Sequence, residues 1–427
     1  MQIHVVKRGD TIWNIAKQYG TTPEEIIRLN QPPNPNSLVV GQTLLIPSAG
    51  RADIVKSGES FYTTAQQYGV SQELEQANPG VSPADLQVGQ QVQIPREAQL
   101  KRTIEVNAYL EPSGGPDDRA TLREVAPYLT YVSVFSYRAT RDGGLTSPND
   151  SFALAAAREF GIAPLLVMTN FEADIGFSAE LARAIITSEE VKNRLFDNLV
   201  RIIREKGFVG VNVDFERVGP EDRETYNQFL RDLAARLHAV GAILSTALAP
   251  KESDYVGGEW HGAHDYRAHG EIVDFTIIMT YEWGWSGGPA YAVAPINKMR
   301  DVLRYAVTRI PPRKILMGFP LYGYDWTLPF APGTTARTIS PQAAIRLADR
   351  ENQAIEYDET LQAPFFHYYD NQGRQHEVWF EDARSAKAKL NLINEFNLRG
   401  VSFWELGNPF PQIWHLLADM FTIRKLR

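Results

Sequence analysis

The segment GFVGVNVDFERV, residues 207–218, decides how the chain folds and where its chemistry lies. It reads as an apolar, valine-rich strand entered through glycine, and side chains alternate across a strand. Asn212, Asp214 and Glu216 therefore face one side, while Val211, Val213 and Phe215 face the other. Carboxylates two residues apart lie roughly 6 to 7 Å from each other along a strand. On an apolar strand such groups are costly unless paired or used, and each pushes the other's pKa away from its ordinary value. That arrangement suits a proton donor. An isolated Asp-x-Glu is a weak signal, because a strand end that reaches solvent explains it equally well; its place in the fold decides.

Seven further runs of the same kind flank it: TIEVNAYLEP, YVSVFSY, APLLVMTNF, LSTALAPK, FTIIMTYEW, ILMGFPLYG and GVSFWEL. Between them lie segments of helical period, such as SEEVKNRLFDNLVRIIREKG and ETYNQFLRDLAARLHAVG, each closed by a glycine. Eight strands alternating with helices and buried on both faces predict a closed (β/α)8 barrel over residues 101–427. An open doubly wound sheet is the alternative, but no G-x-G-x-x-G or P-loop follows the first strand. In a barrel, reactive groups sit at the C-terminal strand ends. The gap from Phe319 to Phe403 exceeds the others and predicts a small α+β insertion at about 331–380, with aromatic strands APFFHYYD and HEVWFED.

Ahead of the barrel the chain repeats itself. HVVKRGDTIWNIAKQYG and DIVKSGESFYTTAQQYG align Gly9 on Gly58 and Tyr19-Gly20 on Tyr68-Gly69, and the match continues through Asn30 on Asn78, Gly41 on Gly89 and Pro47 on Pro95. Each copy reads as a βααβ unit, spanning 1–48 and 51–96, with REAQLKR as the linker to the barrel. These landmarks resemble the lysin motif (LysM) family. The resemblance implies binding of N-acetylglucosamine-containing glycans in a groove between two loops. The residues it points to are Gly9, Asp10, Thr11, Ile12 and Asn30 in the first module, and Gly58, Glu59, Ser60, Phe61 and Asn78 in the second. Two linked weak sites gain avidity on a polymer.

The acidic strand resembles glycoside hydrolase family 18, whose fourth strand reads D-x-x-D-x-D-x-E. Here the register is Val209, Asn212, Asp214, Glu216. The two final acids match, and the outer two aspartates are replaced by Val209 and Asn212. Asn212 can hydrogen bond Asp214 but cannot carry its charge. MTYEW resembles the family's M-x-Y-[DE], placing Met279 and Tyr281 on one face of strand six, and Trp404 stands where the family keeps a tryptophan floor. The resemblance implies retaining hydrolysis in which the substrate's own acetamide attacks, an exception to the two-carboxylate scheme. Glu216 would be the acid/base, Asp214 would stabilise the oxazolinium ion, with Asn212 behind it, and Tyr281 would orient the acetamide. Trp404, Met279, Tyr109, Tyr322 and Trp283 would contact sugar, with Asn170, Glu282 and Asp325 as weaker candidates. No metal or cofactor is expected, since no H-E-x-x-H or similar ligand spacing occurs.

Composition bounds the rest. With 427 residues the chain holds two to four units at roughly 100 to 200 residues each. No cysteine means no disulfide, thiolate metal site or cysteine nucleophile. A net charge of −8 argues against a nucleic-acid partner. No apolar run nears the roughly 18 residues of a membrane span, so no membrane insertion is expected, and the N-terminus shows no secretory signal pattern.

Two LysM modules, a family 18 barrel and the stretches Glu221 to Leu230 and Val378 to Ser385 together resemble bacterial spore-cortex lytic N-acetylglucosaminidases of germination. The resemblance implies peptidoglycan as partner and a spore coat, cortex or cell-wall location. A chitinase on chitin oligomers and a non-catalytic glycan-binding protein are the alternatives.

Overall fold

A computed structural model of the chain describes residues 1–47, 51–56, 58–68, 78, 81–82, 86–94, 101–255, 258 and 261–426. The barrel expectation holds. Strands Thr103–Leu110, Tyr131–Ala139, Ala163–Thr169, Gly210–Asp214, Ile243–Leu248, Phe275–Ile278, Ile315–Pro320 and Gly400–Trp404 pair in parallel, and the first pairs with both the second and the eighth, which closes the ring. Alternation divides their side chains. Tyr131, Leu165, Val167, Phe275 and Ile277 pack inside the ring, while Val134, Leu166, Met168, Val211 and Val213 face the helices outside. Parallel strands buried on both faces account for the near-continuous apolar runs of the sequence.

The ring's interior also holds polar groups that bond one another across strands. Ser133 Oγ donates to Asn107 Oδ1 at 2.9 Å, and Asn107 Nδ2 donates to Ser402 Oγ at 2.9 Å. Buried hydroxyls and amides matched in this way carry little desolvation penalty and fix the register between strands one, two and eight.

After the seventh strand comes an antiparallel five-stranded sheet, from Gly323–Thr327 to Gln375–Trp379, with helix Pro341–Arg350 against it. Its first strand begins earlier than the 331 read from sequence, because Gly323 continues the seventh barrel strand's exit. Asp325, a weaker candidate site residue, lies inside this sheet and bonds Arg337 at 2.7 Å, His376 at 2.8 Å and Tyr368 at 2.9 Å. It holds the insertion together.

In the first LysM module, strands Gln2–Val5 and Thr43–Ile46 pair antiparallel over helices Ile12–Tyr19 and Pro23–Asn30. Thr11 caps the first helix, and Thr22 with Glu25 forms a capping box on the second. In the second module, strands Arg51–Ile54 and Gln91–Ile94 pair around helix Phe61–Tyr68; the expected second helix lies outside the described residues.

The first module is seated on the barrel. Gln412 Nε2 donates to Asn30 Oδ1 at 2.7 Å and to Thr43 O at 2.8 Å, and Gln342 Nε2 donates to Asn30 O at 3.0 Å. Ile355 N donates to Val40 O at 2.8 Å, and the Met1 ammonium pairs with Asp419. Gly41 has φ +85°, and a Cβ there would lie 1.9 Å from Ile355 O, so only glycine fits. Leu29 and Leu45 of the module join the barrel's outer apolar cluster.

Asn30 therefore departs from its expected role. It is 2% exposed, and within the module its side chain also donates to Ile26 O and Leu45 O and accepts from Leu45 N. A side chain committed to four bonds is not free to take a sugar. Replacing Asn30 by Ala orphans several buried groups and is expected to lower stability by about 2 to 4 kcal/mol. Calorimetry should show this, whereas Asn34→Ala in the same loop should stay within about 0.5 kcal/mol.

Candidate active site

The fourth strand's hydrogen-bonded ladder ends at Asp214, so Phe215 and Glu216 leave the sheet at the C-terminal mouth of the barrel. Their backbone bonds are supplied by side chains instead. Asn170, fully buried at the end of the third strand, accepts from Glu216 N at 3.0 Å and donates to Glu216 O at 2.8 Å. Its amide imitates a neighbouring strand, and a third bond to Ser178 O at 2.9 Å fixes its orientation.

From the opposite side, His264 Nε2 donates to Phe215 O at 3.0 Å while its Nδ1 accepts from Ala249 N at 2.9 Å. The backbone N–H dictates the tautomer. Burial pushes the His264 pKa down to about 4, which keeps the ring neutral and the clasp intact at ordinary pH. The segment bearing the acid is thus gripped from both flanks.

Electrostatics then act on the acids. Burial raises the Asp214 carboxyl well above the ordinary carboxylate range. Glu216 is raised by burial first, then by the charges of Asp214 and Glu282, against which Arg217 acts in the lowering direction. Two carboxyls whose charges repel in this way favour sharing a proton over ionising together. Asp214 Oδ1 is buried and has no hydrogen-bond partner among the described residues, so the site presents an acceptor that a donor can fill.

Asn212 behaves differently from its expected part. Its Oδ1 accepts from Tyr109 OH at 2.8 Å and its Nδ2 donates to Ser245 Oγ at 2.9 Å. Both ends of the amide are engaged below the acids, and Asn212 makes no bond to Asp214. It braces the floor of the site together with Tyr109, which is 2% exposed.

Met279 and Tyr281 do not lie on the sixth strand, which stops at Ile278. Two successive tight turns follow, Thr280 N to Ile278 O and Tyr281 N to Met279 O, both 2.9 Å, and they swing Tyr281 into the mouth. Burial and the charges of Asp214, Glu216 and Glu282 raise its pKa, so the phenol stays a donor. Gly318 makes room for it: a Cβ there would sit 2.8 Å from Tyr281 Cε1 and 2.5 Å from Ile278 O.

Trp404 is half-buried at the end of the eighth strand, edge-on to Phe135 at 4.9 Å and Tyr109 at 5.2 Å between ring centres. Tyr322 departs from the sugar-contact expectation; its hydroxyl bonds Glu282, as does that of Tyr324 at 3.0 Å. Met279 and Trp283 pack half-buried against the outer apolar cluster. The structure thus brings together Tyr109, Asn212, Asp214, Glu216, Tyr281 and Trp404. His264, Ser245 and Gly318 have no local sequence signal; each acts through strands distant in the chain.

In the LysM modules, Gly9 and Gly58 hold left-handed turns at φ +90° and +88°, leaving Thr11 exposed and Ser60 half-buried. Asp10 accepts from Lys7 N at 2.7 Å, and Glu59 from Lys56 N at 2.8 Å, so both acids tighten the turn. Ile12, Phe61 and Asn78 are buried. Their neighbours Trp13 and Tyr62, equivalent positions in the repeat, are 73% and 70% exposed.

Comparison with known proteins gives the following. The model of glycosyl hydrolases family 18 matches residues 173–408, and the LysM domain model matches residues 4–47 and 54–95. The chain is 50% identical to a cortical fragment-lytic enzyme of Bacillus subtilis and 44% identical to one of Bacillus anthracis, in each case over 100% of this chain and 99% of the relative. Among solved structures, it resembles the spore cortex-lytic enzyme SleL of Bacillus megaterium QM B1551 with a TM-score of 0.88 and 44% identity, covering 100% of this chain and 99% of that one.

The two bonds from Asn170 to the Glu216 backbone generate a test. Asn170→Ala frees the acid to drift, and a displacement near 1 Å costs on the order of 10²-fold in rate. Steady-state kinetics should show that loss in kcat with KM little changed, while circular dichroism remains that of the parent.

Proposed function

Because this chain belongs to glycosyl hydrolases family 18 and carries two LysM domains, we propose that it cleaves β-1,4 bonds after N-acetylglucosamine in peptidoglycan fragments of the spore cortex. It does so with retention of anomeric configuration. The observation that carries the reading is the raised acid pair in the barrel mouth, with the Asp214 oxygen unpartnered beside it.

The chemistry follows from those groups. Protonated Glu216 gives its proton to the glycosidic oxygen as the C1–O bond breaks. The acetamide carbonyl oxygen of the same sugar bonds to C1 from the other face, forming an oxazolinium ion. Asp214 accepts the acetamide N–H, which satisfies its orphaned oxygen and balances the developing positive charge. Tyr281 donates to the acetamide oxygen and orients it. Water then attacks C1, giving its proton to Glu216 and opening the oxazolinium ring. Each attack inverts C1, so the product keeps the starting anomer. Trp404 supplies an apolar face under the sugar ring.

Full-length similarity to cortical fragment-lytic enzymes, both LysM modules included, favours cortex over chitin as the substrate. Retention of Glu216 speaks against a purely glycan-binding protein. A location at the spore coat, cortex or cell wall accords with that substrate. No helix among the described residues is long and apolar enough to cross a membrane.

Replacing Glu216 by Gln removes the only proton the leaving group receives, and turnover should fall about 10²- to 10⁴-fold. Pull-down on purified cortex should be unchanged, since the LysM modules are intact. Proton NMR of the first product of the parent enzyme should show the β anomer; an α anomer at the outset would overturn the mechanism.

A further inference from the structure

The segments at the C-terminal ends of the second and third barrel strands line an open pocket of about 340 Å³. Its walls include Arg138, Arg141, Thr146, Phe171 and Glu172. Strand register locates it. Arg138 pairs with Thr169, and Thr169 pairs with Asp214, so the three form one row across the sheet. Tyr137 faces the outer helices, where its hydroxyl meets Asp150 and Lys206. Arg138, its neighbour, consequently faces the mouth. With strands roughly 4.8 Å apart, its Cα lies about 10 Å from that of Asp214. Phe171 and Glu172 follow Asn170, the residue that grips Glu216. The pocket therefore lies two strands from Asp214, next to the segment that follows Asn170, and Arg138 is the lining residue that shares the acids' face of the sheet.

Its charges are unequally satisfied. Arg141 is held by Glu172 at 3.3 Å and by the exposed Glu180 at 3.9 Å. Arg138, half-buried, has no ion pair or side-chain hydrogen bond among the described residues. A half-buried guanidinium fork without a carboxylate of its own, in a pocket that Phe171 also lines, suits a planar anion carried on an apolar frame.

A glycan of N-acetylglucosamine alone carries no anion. N-Acetylmuramic acid carries a lactyl arm that ends in a carboxylate or in a peptide rich in carboxylates. If the sugar whose glycosidic bond breaks sits over Trp404 and Tyr281, the departing sugar lies on the Glu216 side, toward strands three and two. We propose that the pocket takes the anionic arm of that departing sugar, with Arg138 as the residue that favours peptidoglycan over neutral chitin. This rests on the reading of Glu216 and peptidoglycan given above and names the contact that selects the substrate.

The test uses the full-length enzyme, a muropeptide tetrasaccharide, and the same muropeptide with its carboxylates amidated. For the parent, kcat/KM should be higher on the native form. Arg138→Ala should lower the native-to-amidated ratio about tenfold, and Arg138→Lys should restore part of it, since charge returns without the fork. Added salt should shrink the parent's preference in the same direction. An unchanged ratio in Arg138→Ala, or a parent indifferent to amidation, overturns the role of Arg138 while leaving the hydrolase intact. A parent that cleaves neither form overturns the peptidoglycan reading and this inference with it.

Discussion

Two carboxyl groups at the end of one apolar strand, out of water and within mutual repulsion, cannot both be ionised at little cost. The rest of the molecule answers to that constraint. The closed barrel delivers Asp214 and Glu216 to a mouth where burial disfavours charge, and the inner polar contacts of Asn212 with Tyr109 and Ser245 carry the apolar ring up to them. Past the end of the sheet a free chain would wander, and the Asn170 and His264 clasps substitute for the absent ladder. Neutral His264 matters here, because a buried charge beside the pair would pull the proton equilibrium elsewhere. The same constraint makes Tyr281 a lasting donor, and Gly318 is the vacancy that admits its ring.

How much of this could be read from the chain depends on whether the determinant is local. Alternation along residues 210–216 puts three polar side chains on one face, and that face is what the folded strand presents through Asp214. The eightfold recurrence of apolar runs and the repeated Gly-Asp-Thr and Gly-Glu-Ser turns are equally local, so barrel and modules were legible. Asn170 stood out only as a polar residue at a strand end; its grip on Glu216 needs the register of two strands to be known. His264, Ser245 and Gly318 are ordinary residues until neighbours from elsewhere meet them. Misplacements have the same origin. Tyr322 lies beyond the seventh strand, which stops at Pro320, and Glu282, turned back at φ +69°, reaches its hydroxyl. Ile12 and Phe61 begin amphipathic helices and face inward for that reason, leaving Trp13 and Tyr62 outside.

Seating of the first LysM module adds a consequence for polymer work. Asn30 and Gly41, which read as module landmarks, serve the junction with the barrel through Gln342, Gln412 and Ile355. A module bonded in this way holds its exposed turn fixed relative to the barrel. Anchoring of this sort raises effective concentration more reliably than a loose tether does, provided the geometry permits simultaneous engagement.

The account stands or falls on the proton held by Glu216 at neutral pH. Carbon-13 carboxyl NMR of the glutamate-labelled enzyme, assigned by Glu216→Gln, reads that proton directly. The account predicts a Glu216 titration displaced well above the ordinary glutamate range, and displaced downward once Asp214→Asn removes the neighbouring charge. A Glu216 signal that titrates in the ordinary range, and is indifferent to Asp214, would contradict it.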